Sequence, residues 1–82
     1  MNARTFRLIR RRLGISQAEM ARAMDCSAAN IMFYERGQAV PPPRAKLLII
    51  FARSRGLALT WENLYDDAPL PEIAPPVQRG SS

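Results

Sequence analysis

Two helix-start signals only eleven positions apart constrain this chain more than any other feature. The first is Ser16-Gln17-Ala18-Glu19, a capping box. In such a box the Ser16 hydroxyl accepts from the Glu19 amide, and the Glu19 carboxylate reaches back to the amide of Ser16. Ile15 before the cap and Met20 inside the helix add a hydrophobic staple, and Met20, Ala21 and Met24 form its apolar face. The second signal is Ser27, suited to cap a helix from Ala28 to about Arg36 that closes at Gly37. The earlier helix ends near Met24-Asp25, so only Asp25-Cys26-Ser27 joins the two. That connection is too short for antiparallel packing side by side. The helices must cross steeply, and the second must protrude. The small Ala21, in the middle of the earlier helix, suits the point of closest approach.

The flanking segments bring the total to five short helices. From about Ala3 to Leu13, Phe6, Ile9 and Leu13 recur at helical spacing, with Arg4, Arg7, Arg11 and Arg12 between them and Gly14 to close. In the third helix Ile31 and Tyr34 share a buried face, while Met32 and Phe33 fall elsewhere on the cylinder. Gln38 to Pro43 is a connector. Pro41-Pro42-Pro43 cannot continue a helix, but the last suits the first turn of a fourth helix running to about Arg55, with Gly56 beyond it. Leu47, Leu48 and Phe51 are its expected core stripe, with Ile50 left over. Thr60 can cap a fifth helix, Trp61 to Tyr65. There is no β-period alternation and no internal repeat. The expected fold is all-α, with a five-helix domain over residues 1–67 and a Pro-rich, disordered tail over 68–82.

Size and charge narrow the function. Eighty-two residues allow one small domain, which hides only about 60% of the surface of its unfolded chain. That leaves no room for a scaffold enclosing a cofactor cleft of roughly several hundred Å³. The longest apolar run, Leu47 to Ala52, falls far short of a membrane span, and the N-terminus lacks the order of a secretory signal. The chain has no His and one Cys, so His catalysis, His metal sites and an internal disulfide are excluded. No cofactor, metal or small-molecule effector is expected, and a reducing cytoplasm fits Cys26 as a small buried hydrophobe. Residues 1–55 hold eleven Lys/Arg and three Asp/Glu, a balance of +8, while residues 56–82 hold one and four, a balance of −3. Eleven of the twelve cations are arginine, the better planar phosphate ligand. A basic body with a short acidic end points to a polyanion, nucleic acid before membrane.

Residues 5–65 resemble the helix-turn-helix domain of the phage repressor and Cro class, the XRE family. The likeness rests on Phe6-x-x-Ile9-Arg10, on Leu13-Gly14-Ile15-Ser16-Gln17-x-Glu19-Met20-Ala21, on Cys26-Ser27 and Ile31, and on Tyr34-Glu35-Arg36-Gly37. The resemblance implies a lambda-repressor-like fold that binds double-stranded DNA as a homodimer, its third helix in a major groove about 12 Å wide. Half-sites would then lie about 34–36 Å apart. It also implies that Gln17 holds a phosphate at the start of the second helix, where backbone N–H groups and the helix dipole favour an anion. Arg10 and Glu35 match a family pair tying the first helix to the end of the third, a structural role rather than a site.

By position, the base-reading candidates are Ser27, Ala28, Ala29, Asn30 and Phe33. Here the chain departs from better-known repressors, which often carry Gln, Arg or Ser where Ala28 and Ala29 stand. Alanines offer only methyl contact to thymine, so polar readout is thin and DNA shape would carry more of the specificity. Phe33 either meets thymine methyls or, with the helix rotated, belongs to the core. Arg36, Gln38 and Arg44 are expected to join Gln17 on phosphates. With some six phosphates per protomer, the dimer's log K against log salt would slope at about −10. Ile50, Trp61, Leu64 and Tyr65 are candidates for either a dimer face or the core.

The expected function is a non-enzymatic, sequence-specific transcriptional regulator of bacterial or phage origin, a Cro-like repressor acting in the cytoplasm. The alternative is a helix-turn-helix module whose apolar third helix (Ala28, Ala29, Met32, Phe33) binds a protein such as a toxin or polymerase, with little DNA specificity.

Overall fold

A computed structural model describes residues 3–65 and 69–71. The elements are α1 (Ala3–Leu13), α2 (Gln17–Ala23), α3 (Ala28–Glu35), α4 (Pro42–Ser54) and α5 (Trp61–Tyr65), and the described residues contain no strand. α1 and α2 both pack on α3, and α4 closes the other side of α2. Among the described residues no helix is long and apolar enough to cross a membrane.

Local chemistry sets each boundary. At the start of α2 the Ser16 hydroxyl accepts from the Glu19 amide at 3.1 Å, and Glu19 Oε1 accepts from the Ser16 amide at 3.4 Å. α2 stops where Asp25 takes a left-handed φ of 57°. A short polar side chain tolerates that region. The turn lets the Cys26 amide reach the Ala21 carbonyl at 2.9 Å and the Asp25 amide reach Arg22 at 3.3 Å, the paired bonds of a Schellman stop. α3 ends the same way at Gly37, φ 108°, with the Gln38 amide on the Phe33 carbonyl. Two matched stops thus fix the length and exit of both helices. In α4, Pro41 is the cap and Pro42 and Pro43 occupy the first helical positions, where the missing N–H groups have no helical partner to lose.

Phe6, Ile9, Leu13, Met20, Met24, Ile31, Tyr34 and Leu48 meet in one core, where Phe6 and Tyr34 contact edge to face at 5.6 Å. Cys26 packs against its edge, half-buried. The expected stripe of α4 needs correction. Ala45, Leu48, Ile49 and Ala52 face inward; Leu47 and Ile50 are exposed and Phe51 is only half-buried. The buried set follows i, i+3, i+4, i+7, and its two alanines let helices approach closely. A reading that favours large side chains misses them. α5 is capped as expected, the Thr60 hydroxyl accepting from the Asn63 amide at 3.3 Å. Leu64 is fully buried and so is core rather than interface.

Residues 69–71, just past the boundary expected at residue 67, are tied to the domain. Arg12 Nη1 donates to the Leu70 and Pro71 carbonyls at 3.3 and 2.7 Å, Asn63 Nδ2 donates to the Pro69 carbonyl at 2.9 Å, and Leu70 packs on the core. The rest of the expected tail lies outside the described residues.

Candidate nucleic-acid interface

The crossing of α2 and α3 leaves one side of α3 free. Ile31, Tyr34 and Glu35 turn inward, while Ala28, Ala29, Met32 and Phe33 are exposed. Phe33 is 46% exposed, so the rotated-helix alternative does not hold. The two polar base-reading candidates have a second task. The Ser27 hydroxyl accepts from the Asn30 amide at 3.3 Å, while Asn30 Oδ1 accepts from the Ser27 amide at 3.3 Å and from its hydroxyl at 2.8 Å. This is a complete capping box with Asn in the place usually held by Glu or Gln. The spacing Ser27-x-x-Asn30 is its sequence signal, beyond the cap expected from Ser27 alone. The outward face of α3 is therefore almost wholly apolar.

Glu35 organises the edge beside it. Arg10 Nε donates to Glu35 Oε2, and Gln17 Nε2 donates to Oε1 at 3.1 Å. Arg10 Nη1 also donates to the Ile15 carbonyl at 3.2 Å, across the turn between α1 and α2. The expected Arg10–Glu35 pair is present, and it does more than join two helices. The carboxylate also fixes the Gln17 amide at the head of α2. Gln17, Met32, Glu35 and Arg36 line an open notch of about 260 Å³ with Arg7 of α1.

The four phosphate candidates do not form one group. Gln17 and Arg36 share the notch, Gln38 is exposed in the connector, and Arg44 stands beside the turn between α2 and α3. Arg44 Nη1 donates to the buried Tyr34 hydroxyl at 2.9 Å, and this bond raises its pKa above the ordinary guanidinium value. Arg44 is thus a fixed cation whose direction is set by the core. Burial raises the Cys26 thiol pKa; Arg44 opposes the shift and Asp25 adds to it. The thiol therefore stays protonated near neutral pH. Two notch residues were missed as sites. In the sequence Arg7 stands only among the cations between the apolar positions of α1, and Met32 only in an apolar face of α3. Their signal was spacing across two helices, which one helix's pattern cannot reveal.

On the far side, Lys46, Ile49, Ile50, Arg53, Thr60, Trp61 and Glu62 line an open groove of about 410 Å³. Trp61 and Tyr65 stack beside it at 5.7 Å, both exposed.

A capped α2, a left-handed turn and a protruding α3 held by a buried carboxylate are the parts of a helix-turn-helix. The family model described as a helix-turn-helix domain matches residues 3–51, more than half of the chain. The chain belongs to the helix-turn-helix domain family. Membership is consistent with the resemblance to the phage repressor and Cro class. It supports DNA-binding regulation as the general role, and helix-turn-helix domains are typically non-enzymatic. No curated protein and no solved structure matches the chain.

Proposed function

We propose that this helix-turn-helix domain is a sequence-specific DNA-binding regulator, a Cro-like repressor acting in a bacterial or phage cytoplasm. The observation that carries the reading is the exposed outer face of α3 with cationic groups at its margins, Arg36 on one side and Arg44 near the other turn. In this reading α3 enters the major groove. Ala28, Ala29 and Phe33 meet thymine methyl groups, and Met32 joins them. Ser27 and Asn30 keep the helix N-terminus rigid and offer only the valences their mutual bonds leave. Gln17, Arg36, Gln38 and Arg44 take phosphates at the groove margins. Such contacts set register and supply most of the affinity, while the methyl contacts and the deformability of the DNA select sequence. Repression is then occlusion of polymerase, without chemistry.

The domain acts as a homodimer on a pseudo-palindrome. Support for this comes from Ile50, Trp61 and Tyr65, whose apolar surfaces lie exposed on one side of α4 and α5. Sedimentation at rising concentration tests it, and a Trp61→Ala variant should remain monomeric where the wild type pairs.

Selection of bound duplexes from a random library tests the whole reading. Enrichment of a thymine-bearing, two-fold-related site supports it. Absence of salt-dependent DNA binding at micromolar protein overturns it. That result would favour the second reading, a protein-binding module, for which the exposed Met32 and Phe33 speak.

A further inference from the structure

We infer that Arg4, Arg7 and Arg11 form a phosphate-binding track along α1, extending the DNA interface onto the backbone that flanks the groove; this rests on the DNA-binding reading above. The five arginines of α1 sort into two sets. Arg10 is tied to Glu35 and Ile15, and Arg12 to the carbonyls of Leu70 and Pro71. These two are spent on the fold. The remaining three stand at i, i+3 and i+7, one face of the helix, opposite the buried Phe6, Ile9 and Leu13.

Like charges at that spacing destabilise a helix. α1 contains no acid, and among the described residues no ion pair joins these three to a carboxylate; Glu35, which shares the notch with Arg7, is bound by Arg10 and Gln17. An external anion would relieve the repulsion. Arg4, Arg7, Leu8 and Arg11 line an open trough of about 410 Å³. Arg7 also lines the notch of Gln17, Met32, Glu35 and Arg36, so one side chain borders both trough and notch.

The dimensions fit a nucleic-acid strand. Arg4 and Arg11 are separated by a rise of roughly 10 Å. B-DNA carries one phosphate per about 3.4 Å of axis on each strand and spaces them more widely along the winding backbone, so with the reach of their long side chains the three arginines can each meet one phosphate. The planar guanidinium fork matches phosphate oxygens, and each neutralised phosphate adds to the salt dependence of binding.

The test uses the full chain, a long random-sequence duplex and a variant with Arg4→Gln, Arg7→Gln and Arg11→Gln. All three side chains are exposed and Gln is a good helix former, so a thermal melt without DNA should lie at or somewhat above the wild type's, the like-charge repulsion being gone. The track requires the slope of log K against log salt to fall by about 2.7 per bound chain. Between about 50 and 200 mM salt the wild type then loses about 40-fold more affinity than the variant. The Arg→Lys triple should keep the slope, and base preference in a selection should not change. If the Gln variant keeps the wild-type slope while Arg36→Gln lowers it, the track is wrong and the DNA-binding reading stands. If the wild type binds no DNA, both fall. If the Gln variant loses binding to phosphatidylserine–phosphatidylcholine vesicles but not to DNA, the track is a membrane surface and the inference is overturned.

Discussion

α1 carries five arginines and no acid, whereas α3 carries no cation and turns its single acid, Glu35, inward. The two helices are packed on one another through Phe6 and Tyr34 and linked by Arg10 and Glu35. Their free faces nevertheless have opposite characters: one is guanidinium, the other methyl, thioether and ring. The physical reason lies in the proposed ligand. Phosphates stand at the rim of a groove and thymine methyls on its floor. A helix that meets thymine methyls on the floor gains from apolar groups, and one that runs along the rim gains from charge. In the proposed complex affinity and selectivity fall to different elements and should be separable by mutation.

Four substitutions would break or sharpen that contrast. Glu35→Ala has the largest expected effect because Glu35 joins the two helices. It strands the half-buried Arg10 guanidinium and releases Gln17, and should lower unfolding stability by about 3 kcal/mol in a denaturant titration. Ala29→Glu puts charge where α3 has none, facing the groove floor and its phosphate walls. Affinity should fall by about 2 kcal/mol, roughly thirtyfold, at unchanged stability. Unchanged binding in a mobility shift would mean that α3 does not lie in the groove. Arg44→Ala should weaken all sequences alike and reduce the salt slope by about 0.9 per bound chain, the signature of one phosphate. A sequence-dependent loss would break the division between rim and floor. The smallest expected change is in the stability of Phe33→Ala, within about 0.5 kcal/mol of wild type because the ring is largely exposed. Its DNA selection should nonetheless lose thymine preference.

The local grammar of the chain was legible before any coordinates. Ser16 with Glu19, Gly14, Gly37 and Gly56 bound the helices where the structure has them, to within about a residue, because caps and stops act over a few neighbouring backbone groups. The turn between α2 and α3 was readable for the same reason. The inward face of α4 was not. Whether Leu47 or Ile49 is buried depends on how the helix is rotated, and that is set by the neighbours it packs against.

The sequence by itself determined five helices, their ends, the short turn between α2 and α3, and a basic body with an apolar third helix. These follow from spacing along one strand of chain. Only the tertiary structure decided that Phe33 is outside and Leu64 inside, and that Gln17 answers to Glu35. It also divided the arginines of α1 into two that hold the fold and three that face solvent. The reason is common to all of these. Each depends on which groups from distant parts of the chain come within hydrogen-bond or packing distance, and no local pattern encodes that distance.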